Sequence, residues 1–219
     1  MKIKNLVPAL VLSTVVLPAT SMAETTANIG WVSDYIFRGI FQEDSSAYAG
    51  VDYAHDSGFY LGTWGADVGQ GLETDLYFGF ARGDKFTYKI GYTGYYYTDD
   101  FDGTYNEFNL GVGYGIFALD FAVGQYDPIL GVQADYTFTS ITISPEKGPY
   151  YKVGSWGDDF EPNGEYFELG YTHTLEDAGV DLSIAVVQAA DSPLGDPDDN
   201  ESGEWKLTFG IKKNIGFGK

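Results

Sequence analysis

Asp34 and Arg38 stand four residues apart in the stretch Trp31-Val32-Ser33-Asp34-Tyr35-Ile36-Phe37-Arg38-Gly39, so a strand through it would place both charges on one face. On a lumen wall, Arg38 could select anions or bind a carboxylate. Alternatively it pairs with Asp34, or across strands with an acid such as Asp52, and the rule that buried charges are paired favours that reading. The same period of two runs through the chain. It sets nine acids, Asp34, Asp52, Glu73, Asp75, Glu107, Asp120, Asp135, Glu168 and Asp181, on faces opposite an apolar one, with only four bases, Arg38, Lys89, Lys206 and Lys212. If those faces line a pore, these residues are its candidate lining, and the acidic surplus predicts attraction of cations. In a closed barrel the same charges would pair with one another and fill it.

Other chemistry has little to stand on. A hydrolase needs a nucleophile and a base, yet the chain has two histidines, His55 in a turn and His173 at a strand end, and no cysteine. Neither histidine has a recognisable partner motif, so no catalytic residue, metal or cofactor is expected, and the chain is not expected to be an enzyme. The acidic runs Asp99–Gly103 and Asp196–Glu201 lack EF-hand spacing and read as solvated loops. A net charge of −20 argues against nucleic acid as a partner. Tyr150, Tyr151, Trp156 and Phe160, in what reads as a long loop over 144–164, would suit an adhesin acting through external loops.

The elements that must position these charges are strands. Lys2 and Lys4, the apolar run Leu6–Leu17 and the small residues Ser21-Met22-Ala23 predict a signal peptide over 1–23 and a barrel over 24–219. The chain has 29 Gly, 18 Tyr and 15 Phe, a composition suited to strands and tight turns. About ten-residue alternating segments between turn signals add up to about twelve strands, an even number as a bacterial single-chain barrel requires.

The first strand sets Ile29, Trp31, Tyr35 and Phe37 on its apolar face. The fifth sets Phe86, Tyr88, Ile90 and Tyr92 opposite Thr87, Lys89 and Thr93. The eighth sets Leu130, Val132, Ala134, Tyr136 and Phe138 opposite Gln133, Asp135 and Thr137. A reversal at Thr139–Ser140 then leads to a ninth beginning at Ile141, and a second long loop spans 191–203. A charge on a lipid face costs about 2–4 kcal/mol near the midplane, and the assignable charges avoid the apolar face. Connections after even strands are short and those after odd ones mostly longer, which predicts both termini in the periplasm.

The fold class is therefore an all-β transmembrane antiparallel barrel in the outer membrane, most simply a passive, cation-preferring channel for small solutes. The partners expected are outer-membrane lipid and lipopolysaccharide, periplasmic chaperones and the barrel-assembly machinery.

Three blocks carry a resemblance: Val32-Ser33-Asp34-Tyr35-Ile36-Phe37-Arg38-Gly39-Ile40-Phe41-Gln42, Gly50-Val51-Asp52-Tyr53-Ala54-His55-Asp56-Ser57-Gly58-Phe59-Tyr60-Leu61-Gly62-Thr63-Trp64, and Glu73-Thr74-Asp75-Leu76-Tyr77-Phe78-Gly79. Over residues 28–97 the chain resembles the proteobacterial TorF-type porin family. Phe41 stands where that family usually has Ser. The resemblance implies an outer-membrane barrel and names no substrate.

Overall fold

The computed structural model describes residues 23–158, 164–188 and 205–217. The expected signal peptide up to residue 22, the acidic run 196–201 and the expected loop 191–203 lie outside the described residues. Twelve antiparallel strands follow one another: β1 (Glu24–Phe37), β2 (Ile40–Ala54), β3 (Phe59–Asp67), β4 (Leu72–Gly83), β5 (Phe86–Tyr97), β6 (Thr104–Tyr114), β7 (Phe117–Asp127), β8 (Ala134–Ile143), β9 (Tyr150–Asp158), β10 (Gly164–Leu175), β11 (Val180–Gln188) and β12 (Trp205–Gly216). Each pairs with its neighbours in sequence, and β1 closes on β12 from Thr26↔Gly216 to Val32↔Gly210, so the sheet is a closed barrel without a free edge strand.

Period-two alternation explains the two surfaces. Ile90, Leu110, Leu119, Val153, Leu182 and Phe209 all point outward and are exposed, a continuous apolar face of the kind a lipid-embedded barrel presents. Phe86, Tyr114 and Phe117 stand opposite one another across β5–β6–β7 at the end that carries the termini, an aromatic row at one rim. Inside, tyrosines lie against glycines directly across the ladder. Gly30 faces Tyr48, Gly124 faces Tyr136, and Gly154 faces Tyr166. A Cβ added to those glycines would sit 2.3, 2.3 and 2.2 Å from the rings. The wall thus carries its large rings flat against bare backbone, which accounts for much of the Gly and Tyr in the composition.

Two stretches depart from the alternation expected. The first is β8. Thr139–Ser140 is no reversal: the strand runs unbroken to Ile143, with Thr139 opposite Phe121 and Ser140 opposite Asp120. Leu130 and Val132 lie in the connection before it, and its parity is the opposite of that expected, with Tyr136 and Phe138 buried inside and Asp135 exposed outside. The reason is that the lumen itself is aromatic at this level, so large rings do not mark the outer face. Much of the expected loop over 144–164 is β9, paired on both sides. Tyr150 and Trp156 point inward from it, which removes the support they lent to a loop-borne adhesin, and Phe160 lies outside the described residues.

The second departure is the β1–β2 hairpin. Lateral pairing to β12 stops at Val32 and lateral pairing to β3 stops at Tyr48, yet the two strands continue as a hairpin to a two-residue turn at Arg38-Gly39. Ser45 has φ 57°, and the register slips between Tyr35 and Ile36. These irregularities bend the ribbon where the wall lets it go. Arg38 and Gly39, at φ 51° and 84°, give the turn the backbone hand that matches strand twist. Tyr35 is therefore buried inside, not on the outer face with Trp31.

Leu110→Arg is expected to lower the stability of the protein refolded in lipid vesicles by about 2–4 kcal/mol, read by chemical denaturation. Unchanged stability would mean that this face does not meet hydrocarbon.

Candidate functional site

The hairpin tip lies in the lumen and touches much of the wall. Arg38 forms a two-pronged pair with Glu107 of β6, Nη2 to Oε1 at 2.7 Å and Nη1 to Oε2 at 2.8 Å. Tyr95 of β5 and Tyr136 of β8 donate to the same carboxylate at 2.8 and 3.0 Å, so its lone pairs are filled from two strands and the hairpin turn. The guanidinium lies 4.4 Å from the centre of the Phe138 ring, and the indole of Trp156 donates to the Arg38 carbonyl at 2.9 Å. Phe37 meets Tyr95 edge-on, and Ile40 is buried among the lumen rings. Lower on the hairpin, the Tyr35 hydroxyl reaches Glu73 of β4 at 2.9 Å, and Thr208 of β12 donates to the Asp34 carbonyl at 3.0 Å. The expected pairing of Arg38 with Asp34 or Asp52 is thus replaced by one with Glu107. Arg38 stands in a turn and not on a strand, so four-residue spacing has no meaning there.

The other predicted residues divide by strand. Asp52 accepts from the Tyr77 hydroxyl at 2.5 Å. Glu73 and Asp75 are buried side by side in parity, and one Asp75 oxygen, Oδ1, has no partner. Lys89 pairs with Asp120 at 2.7 Å, the lysine stem lying over Gly111 between them. Glu168 accepts from the Tyr150 hydroxyl, and Asp181 accepts from Thr174 at 2.7 Å and stands opposite Lys212. Lys206 lies 4.1 Å from the ring centre of Phe41 on the hairpin. Asp34 receives the Ser33 hydroxyl at 2.6 Å and sits on the hairpin opposite Asp44.

Asp135 is not in the lumen. It points outward near the end of β8, where Gln125 donates to it at 3.0 Å. Sequence reasoning missed Lys152, buried on β9. Its signal was present as the alternation Tyr150, Lys152, Gly154, Trp156, hidden between Pro149 and Pro162. Among the described residues, the wall and hairpin then set Asp34, Asp52, Glu73, Asp75, Glu107, Asp120, Glu168 and Asp181 against Arg38, Lys89, Lys152, Lys206 and Lys212. The surplus of acids is smaller than the sequence predicted.

One arrangement carries the names of a catalytic triad. His55 Nδ1 lies 2.8 Å from Ser57 Oγ and 3.0 Å from Asp56 Oδ1. Serine and carboxylate share one ring nitrogen in an exposed turn, whereas proton relay needs them on opposite nitrogens. The Ser57 N–H also donates to Nδ1 at 3.1 Å, so the cluster caps the β2–β3 turn. No group of three or more potential metal ligands occurs among the described residues.

A family profile described as "Bacterial protein of unknown function (Gcw_chp)" matches residues 17–213. The chain belongs to the Gcw_chp family. No curated protein matches it. Among solved structures, this Gcw_chp barrel is similar to the KdgM porin, with a TM-score of 0.57 at 7% identity over 86% of this chain and 98% of that one. It is similar also to KdgM porin in complex with disordered oligogalacturonate, with a TM-score of 0.51 at 6% identity over 90% and 99% of the two chains. A chain from work on in-meso crystallisation of membrane proteins matches with a TM-score of 0.57 at 13% identity over 90% and 85%. At these identities the likeness is one of fold: a closed antiparallel β-barrel.

Replacing Glu107 by Leu leaves a buried guanidinium without its counter-ion and is expected to cost about 3–5 kcal/mol. The double change Arg38→Met with Glu107→Leu is expected to recover most of that loss. Urea unfolding of the four species in a double-mutant cycle reads the coupling.

Proposed function

We propose that this chain is a porin-like, non-enzymatic channel of the outer membrane through which small solutes diffuse, narrowed by its own first hairpin. The observation that carries the reading is the inverted solvation of the closed barrel: apolar side chains cover the outside, while charged and hydroxyl-bearing groups face inward. The KdgM fold and the TorF-type resemblance support it, and the oligogalacturonate in one KdgM structure suggests that barrels of this build admit hydrophilic solutes. On this reading both termini are periplasmic, the N-terminal segment is an export signal, and the barrel contacts lipopolysaccharide and is inserted by the assembly machinery.

The lumen residues named above are then the pore lining, with Asp135 excluded. Cation preference loses part of its basis, since Lys152 joins the bases and Asp135 leaves the acids. One feature favours a second reading: rings and the Arg38–Glu107 pair extend across the lumen, as in a barrel filled for structural purposes.

Planar-bilayer recording separates the two. The wild type is expected to give small or infrequent steps, and Phe37→Ser with Ile40→Ser, which strips the hairpin of its apolar anchors, is expected to raise conductance several-fold. The heat-dependent shift on an unboiled gel verifies that each protein is folded. Silence from both inserted proteins would sink the channel reading and leave the filled barrel.

A further inference from the structure

Beneath the hairpin tip, towards the termini, the lumen keeps a cavity of about 20 Å³, room for a water or two. Arg38 roofs it, and Lys89, Asp120, Ser140 and Lys152 line it. Three cations therefore meet one small space. Two are already matched, Arg38 by Glu107 and Lys89 by Asp120, each at 2.7 Å. Lys152 is not. It is 5% exposed, and among the described residues no carboxylate lies within ion-pair distance of its ammonium. Its recorded neighbour is the face of Tyr166, 5.9 Å away. Glu168 stands directly across the ladder, but its carboxylate is bonded by the Tyr150 hydroxyl.

Ser140, one strand over, is 2% exposed, and its hydroxyl has no partner. A buried ammonium and a buried hydroxyl, both able to donate and both lacking an acceptor, are costly to leave so. Glu107 and Glu168 balance charge from outside the lining, but of the groups that line the cavity three are cationic and only Asp120 is anionic, so the donors that meet there face too few acceptors.

We infer that this cavity is a binding site for a small monovalent anion, either the carboxylate of a solute or a free halide, held by Lys152 and Ser140 with Arg38 and Lys89 supplying the surrounding field. The inference goes beyond the channel reading and does not rest on it, because binding can be read on folded protein whether or not current flows.

The test is calorimetric titration of sodium formate into the full chain, refolded in detergent in a buffer free of halide and carboxylate, followed by chloride competition. Saturable formate binding is expected. Lys152→Gln should weaken it about tenfold and Ser140→Ala about threefold, whereas Lys213→Gln, outside the lumen, should leave it unchanged. If Lys152→Gln does not fold, as judged by the gel shift, the Ser140→Ala result decides. Displacement of formate by chloride would assign the site to free halide, and retention against chloride would assign it to a carboxylate; either supports the site. Absence of saturable binding of both anions by folded wild type would overturn the inference, as would binding that the lumen substitutions do not weaken.

Discussion

A guanidinium inside a barrel cannot be left without a counter-charge, and that constraint organises the interior. An unpaired buried charge costs several kcal/mol. Arg38 is placed there by a hairpin that has left the wall, so its partner must come from the opposite side of the lumen. Glu107 supplies both oxygens in a matched fork, and Tyr95 and Tyr136 complete its shell. The hairpin turn, β5 and β8 are thereby fixed to one carboxylate on β6. The fork is directional in a way that apolar contacts are not, so it specifies where the hairpin tip stops.

The hairpin also resolves a problem of size. A barrel of about twelve strands is wider than one filled by wall side chains alone and narrower than the open porins of sixteen. Here a piece of the wall supplies the missing filling. The ribbon costs few backbone hydrogen bonds, because its two strands pair with each other to the turn, and side chains replace the ladder where it leaves β12: the Thr208 hydroxyl donates to the Asp34 carbonyl at 3.0 Å, and the Ser33 hydroxyl accepts from the Phe209 N–H at 2.9 Å. What it leaves beneath itself is a small space lined by more cations than acids.

Much of the wall was legible in the sequence. Alternation located most strands, their outward faces and the inward position of Glu73, Glu107, Asp120, Glu168 and Asp181, because lipid tolerates so little charge. It failed where the lumen copies the chemistry of the outside. Tyr136 and Phe138 are as apolar as any outward pair, yet they face in because Arg38 and Glu107 need rings and hydroxyls around them. Asp135 went to the wrong side for the same reason. The strand through Lys152 was hidden by the prolines that flank it. No local signal could have shown that Arg38 turns a corner, since a type I′ turn usually announces itself with Asn or Asp before Gly, and here arginine holds that place for the sake of a partner 69 residues away.

The tyrosines laid on glycines have a consequence for how such a wall can change. Each ring occupies the volume that a cross-strand side chain would have filled, so ring and glycine behave as one tile of fixed thickness. Enlarging the glycine by a single methyl would tip the ring off the wall and into the bore, while shrinking the tyrosine would expose a patch of bare backbone. Bore width is therefore tuned two residues at a time, across a ladder and not along a strand, and neither half of a tile is free to drift without the other.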